Sequence, residues 1–140
     1  MKLRLHHVGM LVADIAVARR VYQDRFGYDV HGDIVHDPGQ TAYVQFMKLP
    51  GDTTFLEFIA PDGPGSKLAD ALNKGVGLHH LCYATETLDE SCDYLRQQGM
   101  SLVRRPVGAV AFHGRRIAWL MGRDRMLVEL VEQGAGVPVI

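Results

Sequence analysis

Apolar runs closed by glycine, proline or an acidic residue divide the chain into short strands and helices. The first run predicts a strand over 3–12. On it His6, Val8, Met10 and Val12 share one face, and Leu5, His7 and Gly9 share the other. Ile15, Ala18, Val21, Tyr22 and Phe26 follow at helical spacing behind Asp14 and stop at Gly27, which predicts a helix over 14–26. Further strands are predicted over 29–36, 41–48 and 54–60. Pro61-Asp62-Gly63-Pro64-Gly65 then breaks the pattern, and Ser66 is placed to cap a short helix over 67–73 that Gly75 ends. The sequence then restarts with a strand over 78–85. Leu88, Cys92 and Leu95 carry a helix over 87–98 with Gly99 beyond it, and strands are predicted over 101–111, 115–121 and 126–132. From Gln133 two glycines and a proline mark a fraying end.

The restart is a repeat. Leu5-His6-His7-Val8 returns as Leu78-His79-His80-Leu81, and His7 and His80 are 73 residues apart. Phe55-Leu56-Glu57-Phe58-Ile59 returns as Leu127-Val128-Glu129-Leu130-Val131, with the glutamates 72 apart. Gly27 and Gly99 are also 72 apart, so one residue is lost within the second helix. The expected organisation is a first βαβββ module over 1–61, a linker with a short helix over 62–76, a second βαβββ module over 77–133 and a tail over 134–140. The fold class is α+β, two modules in tandem.

Composition narrows the possible functions. The 140 residues carry 15 Lys+Arg against 16 Asp+Glu, a net charge of −1, with 47% apolar residues. That is enough apolar surface for a folded core. No basic run is long enough to hold nucleic acid; Arg104-Arg105 and Arg115-Arg116 are only pairs. No apolar run approaches the ~20 residues of a membrane-spanning helix. His6, His7 and Asp14 interrupt any signal-peptide core. Two cysteines, Cys82 and Cys92, make no disulfide scaffold, so the expected setting is a reduced cytoplasm.

The repeated residues carry the chemistry. Glu57 and Glu129 are carboxylates set among apolar residues on strands expected to be half buried. Unpaired, each would cost several kcal/mol or lose its charge. Compensation comes either from an ion pair with Arg4, Arg116 or a neighbouring lysine, or from a metal ion shared with His7 and His80. Imidazole nitrogens with carboxylate oxygens suit one divalent Co, Mn, Ni, Zn or Fe ion. Four protein ligands on an octahedral ion leave two positions for water or substrate, which is a catalytic style of site.

These residues resemble the vicinal oxygen chelate superfamily of metalloenzymes, which includes glyoxalase I, methylmalonyl-CoA epimerases, extradiol dioxygenases, and fosfomycin and bleomycin resistance proteins. The likeness spans about residues 3–132. It implies paired βαβββ modules forming a cup-shaped mixed sheet around one metal site. The epimerase branch is matched by His7-Val8-Gly9-Met10-Leu11-Val12, by Gly75-Val76-Gly77-Leu78-His79-His80 and by Leu127-Val128-Glu129-Leu130. The resemblance implies His7, Glu57, His80 and Glu129 as metal ligands, a small carbonyl or acyl-CoA substrate, and a homodimer. It also implies an isomerase or lyase that removes an α-proton and stabilises the resulting enolate on the metal.

Two departures stand out. Gln45 is aligned with the glutamate that serves as acid/base on the third strand of the epimerases, and an amide cannot exchange a proton near neutral pH. The last hairpin reads Met121-Gly122-Arg123-Asp124 where the family often has a His-Pro-Lys-like turn. Glu57, Glu129 and His113 are the replacement acid/base candidates. Gln45, Tyr43, Trp119 and Arg116 are expected to contact substrate, although each also has an ordinary structural reading. Glyoxalase-type lyase, Fe(II) dioxygenase and ligand-sequestering resistance protein are the alternative functions.

Overall fold

The computed structural model describes residues 2–134 and 139–140, so the expected tail lies partly outside the described residues. Among the described residues, eight strands in mixed parallel and antiparallel pairing and three helices make an α+β fold. The chain divides into two compact units, His7–His79 and Met1–His6 with His80–Ile140.

In the first of these, β1 (Arg4–Leu11, from His7), α1 (Ile15–Phe26), β2 (Asp29–Asp37), β3 (Ala42–Lys48) and β4 (Phe55–Pro61) form one βαβββ module with strand order β2-β3-β4-β1. β1 runs parallel to β4, as a strand reached through a crossover helix does, and the hairpins β2–β3 and β3–β4 are antiparallel. One sheet face packs under α1, where Ile15, Met47, Leu56, Phe58 and Ala60 are buried and Val8, Met10 and Tyr22 pack against them. The Asp14 carboxylate accepts from Val17 N–H at 3.1 Å and caps α1. Gly27 ends it in the left-handed region, φ 78°, with its N–H donated to Gln23 O. Asp14→Ala should therefore lower stability by about 1 kcal/mol in urea unfolding; an unchanged midpoint would mean the cap contributes nothing.

The linker belongs with this first module. The Ser66 hydroxyl donates to Thr41 O at 2.7 Å and accepts from Leu68 N–H at 3.1 Å, while Thr41 Oγ1 accepts from Lys67 N–H. With those N–H groups taken, the short helix α2 starts later than expected, at Ala69–Asn73. Leu11 N–H donates to Gly77 O at 2.8 Å and fixes the far end.

The other unit holds β5 (Leu78–Thr85, from His80), α3 (Leu88–Gln97), β6 (Ser101–Gly108), β7 (Arg116–Met121) and β8 (Leu127–Glu132), in the order β5-β8-β7-β6. β5 is parallel to β8, which repeats the first module. Leu88, Cys92, Ala118, Leu120 and Leu130 form its core. β6 stops three residues earlier than expected. A single turn of 3-10 helix, Val110–Phe112, follows it, and Gly114 N–H donates back to Ala109 O at 2.9 Å. Gly108 suits this close approach, because a Cβ would stand a tight 3.0 Å from Gly114 O. Each strand order ends on an edge strand, β2 or β6, so the sheet is open. Among the described residues no helix is long and apolar enough to cross a membrane.

Candidate metal and active site

Register decides which side chains share a face. Gly9 lies opposite Glu57 across β1 and β4, and His7 lies opposite Phe55. Alternation then sets His7 and Glu57 on the sheet face turned away from α1. His7 Nε2 and Glu57 Oε1 are 3.4 Å apart, both side chains are buried, and Phe46 meets the His7 ring edge-on at 5.2 Å. The second module repeats the device. Cys82 lies opposite Glu129 across β5 and β8, as Gly9 does opposite Glu57, and His80 is two residues before Cys82. His80 Nε2 and Glu129 Oε1 are 3.5 Å apart and buried. Trp119 lies opposite Glu129 on β7 and packs edge-on against His80 at 4.8 Å.

The donor set fits a divalent ion. Two donors about 2.1 Å from a shared ion, at angles between octahedral and tetrahedral, stand roughly 3.0–3.4 Å apart. The separations of 3.4 and 3.5 Å lie at the wide end of that spacing and just beyond it. His7, Glu57 and His80 are buried donors of the kind that ligate such an ion. The arginines first weighed as ion-pair partners are engaged elsewhere. Arg4 donates to Gln133 Oε1 at 3.3 Å. Arg116 donates to Glu132 Oε2 at 2.7 and 3.1 Å and forks onto Asp89 at 3.0 and 3.3 Å.

The other candidate residues fall elsewhere in the fold. Gln45 lies opposite Phe58, and Tyr43 opposite Ala60, on the face that packs under α1 and not on the His7–Glu57 face. The Gln45 amide instead donates to Gly32 O at 3.1 Å, inside the irregular stretch of β2 between His31 and Val35. The inner face of β3 carries Val44 and Phe46, with Phe46 opposite Glu57, and reading the sequence alone placed neither of them there. Arg116 is held between α3 and β8, where hydrogen bonds to Asp89 and then Glu132 push its pKa above the ordinary guanidinium range. His113 sits exposed in a left-handed turn, φ 56°, directly after the 3-10 turn. Trp119, expected to contact substrate, packs edge-on against His80 of the second His–Glu pair. Both cysteines are buried and neither is in a disulfide; burial, and then Asp89 and Asp93, raise the Cys92 thiol pKa and keep it protonated.

Chemically, each module offers one imidazole and one carboxylate in a dry, apolar setting. Such a pair can hold an ion, and its carboxylate can accept a proton from a carbon acid. Phe46 lies directly opposite Glu57 on β3 and Trp119 directly opposite Glu129 on β7, so neither glutamate has a second carboxylate straight across from it on those strands.

Known proteins share this fold. The ethylmalonyl-CoA/methylmalonyl-CoA epimerase of Cereibacter sphaeroides is 32% identical over 131 residues, covering 91% of this chain and 96% of that protein. The crystal structure of methylmalonyl-CoA epimerase from Mycobacterium tuberculosis superposes with a TM-score of 0.81 at 31% identity, covering 93% of this chain and 87% of that one. A Streptomyces coelicolor methylmalonyl-CoA epimerase variant, solved with 2-nitronate-propionyl-CoA, shares the fold with a TM-score of 0.82 at 24% identity over 96% of this chain and 97% of that one. The family model of the glyoxalase/bleomycin resistance protein/dioxygenase superfamily matches residues 6–119, so the chain belongs to that superfamily.

Proposed function

We propose that this chain is a divalent-metal-dependent epimerase that inverts the α-carbon of a malonyl-type acyl-CoA thioester. The observation that carries the reading is the recurrence of one His–Glu couple in equivalent register, His7–Glu57 and His80–Glu129. The likeness to an ethylmalonyl-CoA/methylmalonyl-CoA epimerase supports the substrate class. His7, Glu57, His80 and Glu129 would together hold one Co, Mn, Ni, Zn or Fe ion. A bound ion supplies Lewis-acid stabilisation of the negative charge that develops on a substrate oxygen.

The protein's own part is proton handling. Inversion needs one group to take the α-proton on one face and another to return a proton on the opposite face. Phe46, the β3 residue directly opposite Glu57, carries no acid/base, so the Glu57 and Glu129 carboxylates are assigned both tasks. That arrangement makes glyoxalase-type lyase chemistry the second reading, since it also works through ligand carboxylates. Trp119 and Phe46 hold the two imidazoles by edge-on packing and exclude water from them. A homodimer in the cytoplasm completes the reading, in line with the family resemblance.

The test is α-proton exchange of methylmalonyl-CoA in deuterated buffer, followed by NMR, with Co- or Mn-loaded protein and His80→Ala as control. Metal-dependent exchange by the wild type is expected, and His80→Ala should lose both bound metal and exchange. Protein that holds its metal and exchanges nothing would move the substrate to another carbonyl compound. Protein that takes up no divalent ion on dialysis would replace the reading with ligand sequestration.

A further inference from the structure

The register of β6 against β7 brings an arginine onto the face that carries His80 and Glu129. Leu102 lies opposite Leu120, and both pack on the side of α3. Plain alternation from there would put Val103 opposite Trp119. The register instead shifts between Leu102 and Arg104, and Arg104 stands opposite Trp119. Bulges of this kind re-aim a side chain and gather beside active sites. Trp119 in turn lies opposite Glu129, and Glu129 opposite Cys82. A single cross-strand row therefore runs Arg104, Trp119, Glu129, Cys82, all within one compact unit. Two strand spacings of about 4.8 Å separate the Arg104 and Glu129 backbones, and an extended arginine side chain covers most of that distance. Trp119 is buried and Arg104 exposed, so the indole floors the row and the guanidinium stands at its accessible end.

We propose that Arg104 recognises a free carboxylate on the substrate and thereby selects carboxyacyl thioesters over uncharged ones. The assignment deepens the acyl-thioester reading above and rests on it for the identity of the substrate. A guanidinium fork matches a carboxylate with two parallel N–H donors, which neither an amide nor an ammonium reproduces. The neighbouring Arg105 falls in the second irregularity of β6, between Arg104 and Val107, without a strand partner in that register, and serves as the control.

The experiment compares metal-loaded wild type, Arg104→Gln, Arg104→Lys and Arg105→Gln. Methylmalonate binding is measured by calorimetry, and KM and kcat by exchange of methylmalonyl-CoA and of methylmalonyl-pantetheine, which lacks the nucleotide phosphates. Arg104→Gln should weaken methylmalonate and raise KM for both thioesters roughly ten- to hundred-fold, with a smaller change in kcat. Arg104→Lys should recover part of the loss, Arg105→Gln should match wild type, and metal content should be the same in all four. A penalty confined to the CoA thioester would assign the arginine to the CoA phosphates and overturn the proposal. Equal methylmalonate affinity in Arg104→Gln, no methylmalonate binding by the wild type, or loss of metal from Arg104→Gln would each overturn it as well. Arg104-dependent methylmalonate binding by a wild type that exchanges neither thioester would sink the epimerase reading and leave the carboxylate site standing.

Discussion

Glu57→Gln should keep the bound ion and abolish α-proton exchange from one configuration of methylmalonyl-CoA while sparing the other. An amide oxygen still offers a neutral donor to a metal, but it cannot take a proton at neutral pH. If Glu57 and Glu129 serve opposite faces of the α-carbon, each glutamine variant blocks removal on its own face only. Glu129→Gln should then show the reverse preference, and the double variant should exchange neither isomer. Each loss should reach about 10²–10⁴-fold, the usual contribution of a positioned acid/base. Glu57→Ala removes donor and base together and should lower metal content as well. The measurement is NMR exchange on resolved isomers, with metal quantified in the same samples. If both glutamine variants exchange both isomers at the wild-type rate, the two carboxylates are only ligands and the base lies elsewhere.

The second large effect is on folding. Phe58 is fully buried at the centre of the β4 face that packs under α1, edge-on to Tyr22 at 5.1 Å and in one cluster with Ile15 and Met47. Phe58→Ala removes that ring where the surrounding strands cannot close around the space, and should cost about 3–5 kcal/mol. Against a typical net stability of about 5–15 kcal/mol, that lowers the melting temperature by roughly 10–20 °C. Far-UV circular dichroism during thermal melting checks it. The neighbouring Glu57 points to the other face, so the folded fraction at low temperature should still bind metal. A shift of only a few degrees would mean that this face is loosely packed.

Much of this was legible in the sequence because the repeat supplied two independent readings of each element. His7 with His80 and Glu57 with Glu129 stood at matching places, and the His–Glu pairing within each module follows from the parallel β1–β4 and β5–β8 registers. Asp14 and Gly27 marked the ends of α1 through capping chemistry that is local and so readable. What failed was phase. Alternation along 41–48 says that Tyr43 and Gln45 share a face but not which one. Two extra residues in β2 between His31 and Val35, with Gly32 in the left-handed region, leave Gln45 facing a gap in the ladder that its own amide fills. The role of Gln45 is set by that partner strand, which no period in its own segment reports. Arg104 was passed over for the same reason, since a one-residue bulge decides its face. The end of β6 was missed because residues 109–111 are apolar enough to read as strand, whereas the backbone there closes onto Gly114 and Arg115.

The break in β2 also bears on how the protein behaves when crowded. An edge strand is a template onto which a neighbouring chain can add a strand of its own, and long regular edges seed fibrils. β2 is such an edge, and it presents a ladder interrupted at Gly32, with Asp29, Asp33 and Asp37 along its length. An incoming strand would lose register at the break and meet repeated negative charge. The irregularity that receives the Gln45 amide is thus also a guard against sheet-to-sheet growth.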